Sequence, residues 1–377
     1  MKGASYELKS SDFDYDLPES LIAQSPSLKR EDSKLLIYSK SKNSIHDSHF
    51  SKIIFELERI FPKKPILFVR NNSKVFQARF HLKRKTGGQC EVFLLKYDRD
   101  KKVLPCLFKP KNKLKKDDIL YSESQEEVFR INSLSEDSVE ILLPLDEALR
   151  RFGSIPLPPY IKRDKLYKSN HDKDRYQTIY ANSIGSCAAP TAGFHFTNEI
   201  IDDARNSHYE FVDLSLHIGL GTFKPVDCDD ISHHKMHREF YTIPNKTIEK
   251  ILEFHSKSLP IIFIGTTSLR ACESFFRRYF SINKREKKSD KSFISMDGDL
   301  NTFMETELFI YPKNIDDTYK PCFGNGIITN FHQPKSSLVM LVSALLGYSN
   351  WQKIYTHALL KKYRFLSYGD ACLFLFR

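Results

Sequence analysis

The strongest constraint on the fold is a change of texture at the proline-dense segment FGSIPLPPYIKR, residues 152–163. Before it, short β-rich runs alternate with turn signals: 66–69, 75–82, 91–97, 103–108, 119–122 and 139–143. Closely spaced short strands of this kind read as a small barrel or sandwich. After it, strands alternate with helices. The runs 209–217, 260–264, 326–330 and 371–376 read as strands, and 246–255, 268–280, 337–346 and 354–361 as helices. That alternation predicts an α/β unit with a mixed, largely parallel sheet. Upstream, a short helix over 17–23, with Pro18 in its first turn, precedes a strand over 34–38.

A chain of 377 residues has room for about two or three domains, and 41% hydrophobic residues is enough for a real core. No apolar run approaches the ~18–20 residues of a membrane span, and the first twenty residues lack the apolar core of a secretory signal. Seven scattered cysteines, never in a CxxC, point to reduced thiols in a cytoplasm. Cys187 reads as a small buried hydrophobe before it reads as a nucleophile. The formal charge of +11 favours a polyanionic partner. The loop KPKNKLKKDD (109–118) is a candidate nucleic-acid contact, with a solvated hairpin tip as the alternative. NKREKKSDK (283–291) reads as a solvated charged loop. Nothing in the pattern demands a second copy, so a monomer is expected.

Of only 14 glycines, Gly185, Gly193, Gly219, Gly221 and Gly265 fall in one span, each at the edge of a strand or helix. Glycine belongs where φ is positive or where something approaches the backbone closely. CAAPTAGFHFT (187–197) sets Thr191 and Gly193 before His195, which stands between Phe194 and Phe196. In PIIFIGTTSLRACES (260–274), Thr266, Thr267 and Ser268 can cap a helix or bind an anion, and Arg270 can clamp it. HIGLGTFKPV offers His217 and Thr222 beside the glycine pair. HHKMHREF holds His233, His234 and His237 at metal-like spacing but lacks HExxH, so His237 with Glu239 reads better as a general-base pair. NFHQPKSS contributes Asn330 and His332, and YRFLSYGDA contributes Arg364, Tyr368 and Asp370. Neither GxGxxG nor a P-loop is present.

DYDLPESLIAQSP, LPPYIKR, YQTIYA, AAPTAGFHF, LHIGLGTFKPV, HKMHREFY, GTTSLRACES, LFIYP, ITNFHQPKSSLVMLVSAL and YRFLSYGDA occur in one order along the chain. In this the chain resembles, end to end, the S-adenosylmethionine:tRNA ribosyltransferase-isomerases of bacterial queuosine biosynthesis. The resemblance implies an α/β catalytic domain, 1–62 with 153–377, carrying an inserted β-barrel domain, 63–152. It implies transfer and isomerisation of the ribosyl group of S-adenosylmethionine onto 7-aminomethyl-7-deazaguanine at the tRNA wobble position. The products would be epoxyqueuosine in tRNA, adenine and methionine, with no metal and no permanently bound cofactor. Such chemistry needs proton carriers and no thiol. The candidates are His195, His217, His237 and His332, with Glu239 as orienter. Thr266, Thr267, Ser268 and Arg270 would hold a carboxylate or phosphate, and Phe194 and Phe196 would stack on a base. Three departures stand out: NNSKV (71–75) where the family has NNTRV-like runs, Phe194 for leucine, and Lys313 where the family has glycine. Lys74 cannot reproduce the bidentate contacts of an arginine.

Three other classes make distinct predictions. A non-catalytic tRNA-binding module would release no adenine. A metal-dependent hydrolase built on His233, His234 and His237 would carry stoichiometric zinc. A methyltransferase would release S-adenosylhomocysteine.

Overall fold

The computed structural model describes residues 7–163, 170–219, 221, 225–286 and 303–377. Strands β1 (Lys34–Ser39), β2 (Ser44–His49), β3 (Leu67–Asn71) and β4 (Ser73–Val75) come first, with helix α1 (Ile53–Ile60) between β2 and β3. Six short strands follow: β5 (Arg79–Arg84), β6 (Gln89–Leu94), β7 (Val103–Lys109), β8 (Ile119–Tyr121), β9 (Glu127–Ser133) and β10 (Ser138–Ile141). Helices α2 (Leu145–Phe152), α3 (Asn170–Arg175) and α4 (Asn198–Asn206) interleave with β11 (Gly153–Ser154), β12 (Ser183–Ser186) and β13 (Glu210–His217). The last part runs β14 (Glu239–Thr242), α5 (Asn245–Ser256), β15 (Ile261–Ile264), α6 (Thr266–Glu286), β16 (Met304–Thr306), β17 (Gly326–Asn330), α7 (Ser337–Leu346), α8 (Tyr348–Leu360), β18 (Ala371–Leu375).

The nine-stranded sheet runs β16-β14-β13-β3-β15-β17-β18-β1-β2. It is mixed. The pairs β13–β3, β3–β15, β15–β17 and β18–β1 are parallel, and β16–β14, β14–β13, β17–β18 and β1–β2 are antiparallel. Its central strands read as continuous apolar runs because both faces are covered. Leu67, Val69, Ile261 and Phe263 pack under α5–α8, while the alternating Phe68, Ile262 and Ile264 pack against α1 and α4.

The second sheet closes on itself. Strands β5-β6-β7-β10-β9-β8 pair antiparallel around the ring, and β8 pairs back onto β5. Closure removes the exposed edges that six short strands would otherwise present. Phe80, Val92, Leu104, Phe129 and Ile131 fill its interior. The run at 66–69 is not a barrel strand: as β3 it lies in the nine-stranded sheet, where its side chains are buried on both faces. Strands β2 and β9 were not legible, because SIHDSH and EVFRINS carry too many polar residues to stand out. Helix α6 continues to Glu286, through the start of the charged run expected as a loop. No helix among the described residues is long and apolar enough to cross a membrane.

Candidate active site

A cleft opens beyond the carboxyl ends of β15 and β17. These strands are parallel, so their following loops leave the sheet on the same side, where open α/β sheets place ligands. Gly265 ends β15 at φ 89°, a left-handed backbone that glycine adopts without strain, and turns the chain directly into α6. Thr266 and Thr267 in the first turn of α6 line the cleft. So does Ser336, the N-cap of α7, whose hydroxyl accepts from the Val339 N–H. Two helix N-termini, each with unpaired N–H groups and positive dipole ends, thus border one cleft. None of the described residues lining it is Asp, Glu, Lys or Arg.

Asn330, at the end of β17, connects the cleft to the protein behind it. Its Oδ1 accepts from the Thr191 hydroxyl at 3.2 Å, and its Nδ2 stands 3.2 Å from His195 Nε2. The His195 Nδ1 is 2.8 Å from the Ser33 hydroxyl. The imidazole is buried against Phe50 and has both nitrogens engaged. Burial, with Arg364 and Arg30 nearby, lowers its pKa to about 3. His195 therefore sits behind the cleft as a neutral ring that holds Asn330, and through it Thr191. His332 does line the cleft. Its Nε2 meets the Thr329 hydroxyl at 3.0 Å, and burial lowers its pKa to about 3.

The other predicted residues are placed differently. His217 lies under Gly185 and against the Phe303 ring, and burial lowers its pKa to about 4. Its Nδ1 is buried with no partner among the described residues. His237 is exposed, and a Cβ on Gly221 would run into its ring, so that glycine serves packing. Glu239 does not orient His237. It accepts from Arg270 Nη1 at 2.6 Å and from the Gly219 N–H at 3.2 Å, because the buried guanidinium requires a counter-charge. Arg270 is consequently no free anion clamp, although its Nη2 has no partner among the described residues. Ser268 turns inward and donates to the Ile264 carbonyl. Gly193 lets the Tyr180 hydroxyl approach the backbone rather than a ligand. Phe196 is a core residue edge-on to Phe50, and Phe194 packs with Tyr176 and Tyr368. The short 3₁₀ turn Thr191–His195 sends Thr191 to the cleft and both phenylalanines away from it.

The C-terminal motif is structural. Asp370 accepts from the backbone N–H groups of Lys34 and Arg364, at 3.0 and 2.8 Å. Arg364 reaches Ser27, and the Tyr368 hydroxyl donates to Asp172. Cys187 is buried, with its thiol pushed up to about 12. Lys74 is exposed on β4, and Lys313 is exposed with its N–H on Asp317. Thr222 lies outside the described residues. His233 is exposed, His234 faces Phe309, and no described group of three His, Cys, Asp or Glu side chains could hold a metal.

The cleft also contains residues that sequence reasoning missed. Tyr160 and Ser367 share a 2.7 Å hydrogen bond on its wall. Asn71 is fully buried below it and makes four hydrogen bonds, to Leu216 O, Thr267 Oγ1, Ser73 N and Leu216 N. The available signal was an asparagine ending the apolar run of β3.

Fold and cleft together define a class: a mixed α/β sheet joined to a closed antiparallel barrel, with a cleft at the carboxyl edge of the sheet whose described lining is uncharged. The chain belongs to the queuosine biosynthesis protein family, whose model matches residues 10–374. A relative from Thermosipho africanus, named S-adenosylmethionine:tRNA ribosyltransferase-isomerase, is 40% identical over 97% of this chain and 99% of its own length. One of the same name from Treponema denticola is 38% identical over the same shares. The crystal structure of a Thermotoga maritima S-adenosylmethionine tRNA ribosyltransferase aligns with a TM-score of 0.51 at 26% identity, covering 97% of this chain and all of that one.

Proposed function

We propose that this chain is a transferase that moves and isomerises the ribosyl group of S-adenosylmethionine onto 7-aminomethyl-7-deazaguanine at the tRNA wobble position. Epoxyqueuosine-tRNA, adenine and methionine are the products. The names of the relatives support S-adenosylmethionine and tRNA as substrates. One observation carries the site: the cleft at β15 and β17 has two helix N-termini and no charged side chain among its described lining. The methionine carboxylate fits the free N–H groups of α6 or α7. The absence of a lining carboxylate matters for the first step. A fixed anion beside the sulfonium would stabilise the cation over the neutral ylide and so weaken the acidity of the adjacent ribose carbon. A neutral cleft leaves that acidity intact.

His332 is the proton carrier of this reading. It is neutral at pH 7 and can accept the proton from the carbon next to sulfur. Its lowered pKa makes it a weak base but its imidazolium a strong acid, suited to passing the proton on to departing adenine. The aminomethyl nitrogen then bonds the anomeric carbon. The amine sheds a proton to solvent as the bond from the anomeric carbon to the ring oxygen breaks. The deprotonated carbon next to sulfur closes onto the anomeric carbon, and the freed oxygen displaces methionine from the carbon next to sulfur to complete the epoxide. Thr191, fixed by Asn330, positions the nucleoside, and no step needs a metal or a thiol. The chain divides in this reading into 1–62 with 153–377 and an inserted barrel within 63–152, with β3 assigned to the larger part. The protein acts as a cytoplasmic monomer. Incubation with S-adenosylmethionine and tRNA bearing the aminomethyl precursor tests the reading. Release of adenine and methionine is expected, and release of S-adenosylhomocysteine, or of neither, rejects it.

A further inference from the structure

The two rims of the barrel differ in how their charges are matched. Strand β5 runs from its contact with β11, at Arg79 and Phe80, to the turn at Arg84–Gly88. Its six residues rise about 20 Å, so that turn lies at the end of the barrel away from β11. Strand β7 runs parallel to this rise and delivers the 110–118 loop to the same end. Segments 83–85 and 109–116 carry eight cations, and the nearby carboxylates are Glu91, Asp117, Asp118, Glu123, Glu136 and Asp137.

The basic loop is held in shape. Leu114 is buried in the barrel, Lys115 N–H donates to Asp118, and Arg84 Nη1 donates to the Lys113 carbonyl at 2.9 Å. Arg84 thereby ties the 84–88 turn to the loop. The lysine side chains at 85, 109, 113, 115 and 116 are exposed, and none is in an ion pair among the described residues; Lys111 alone is matched, by Asp137. At the opposite rim Lys96, Arg99 and Arg151 are matched by Asp98, Asp146 and Glu126, leaving Lys101, Lys102 and Arg150. Unmatched, exposed cations on a fixed backbone pay little to exchange their counterions for phosphates.

The geometry points to the far rim of the barrel as a grip for the sugar-phosphate backbone of RNA. It holds the tRNA at a distance from the reacting base, by charge rather than by base recognition. This assignment rests on the tRNA-modifying reading, yet it is tested by binding alone. Full-length Lys113→Glu/Lys115→Glu/Lys116→Glu, and separately Lys83→Glu/Lys85→Glu, would be titrated with an unmodified tRNA transcript across a salt series. The first set is expected to weaken binding about tenfold or more and to flatten the dependence of log K on log salt. S-adenosylmethionine binding by calorimetry and the melting temperature should stay at wild-type values. The opposite-rim control, Lys101→Glu/Lys102→Glu, should lose less than about twofold. Wild-type affinity and salt slope in both far-rim sets would overturn the assignment, as would an equal loss in the control. Adenine release with far-rim variants at full tRNA affinity would break the grip alone. Rim-dependent tRNA binding without adenine release would break the proposed reaction and leave the grip standing.

Discussion

The cleft and the far rim of the barrel meet polar partners by opposite means. The described lining of the cleft has no charged side chain and relies on hydroxyls, amides and helix ends. The rim concentrates exposed lysines that are mostly unmatched. The difference follows from solvation. A charge buried in a cleft must be paired or it costs several kcal/mol, so it would also hold any ligand charge fixed throughout a reaction. An exposed lysine costs nothing to keep and attracts a polyanion from a distance, at the price of salt sensitivity. In the proposed reading, chemistry and grip are therefore separable.

The largest expected effect tests that separation directly. His332→Gln should lower kcat by about 10²–10⁴-fold while leaving tRNA affinity intact. A parallel fall in affinity would mean that the cleft also carries the RNA.

The neutrality of the cleft region has a consequence in acid. His195 and His332 have folded pKa values of about 3 against an ordinary 6.5. The unfolded chain therefore binds more protons below that value. Their contribution to stability is full above pH 6.5 and is lost as pH falls toward 3, by about 2 kcal/mol per ring between pH 6.5 and 5. Denaturant midpoints at pH 7.5 and 5 should show it, with a visibly smaller drop in His195→Gln; an equal drop would assign the acid sensitivity elsewhere.

Asp370→Asn should cost about 2 kcal/mol of stability, since one of the two backbone N–H groups loses its acceptor, the other keeps only a neutral one, and Arg364 loses its carboxylate partner. Its kcat at saturation should hold, and a selective loss of kcat would return Asp370 to the site. Thr191→Val should raise the KM for S-adenosylmethionine about tenfold, the worth of one hydrogen bond. That increase should not vary with salt, in contrast to the rim. Cys187→Ala should leave kcat unchanged, and inactivation would mean that the thiol is needed after all.

Some of this was legible in the sequence for clear reasons. β17 and α7 were readable residue for residue because an apolar strand and an apolar helix are separated by Pro334 and serines that stop one and cap the other. Thr266, Thr267, Asn330 and His332 line the cleft, and the sequence pointed there because strand ends next to helix starts are where α/β sheets expose backbone N–H groups. The motifs around His195, Arg270 and Asp370 misled because the same polar side chains serve ligands or bury themselves against backbone. Sequence order does not say which. Glu239 next to His237 in the chain and Glu239 on Arg270 in the fold make the point.

The sequence by itself determined the two kinds of unit, most of their strands and helices, and the family, because periodicity and ordered motifs are local properties. Tertiary structure alone decided that β3 leaves the barrel run for the nine-stranded sheet, and that Thr191, His332 and two helix starts meet in one cleft while His195 stands behind Asn330. It also decided that the lysines of two separate turns share one rim. These are facts of strand pairing and burial between residues far apart in the chain, and only the closed sheet and barrel bring such residues within reach of each other.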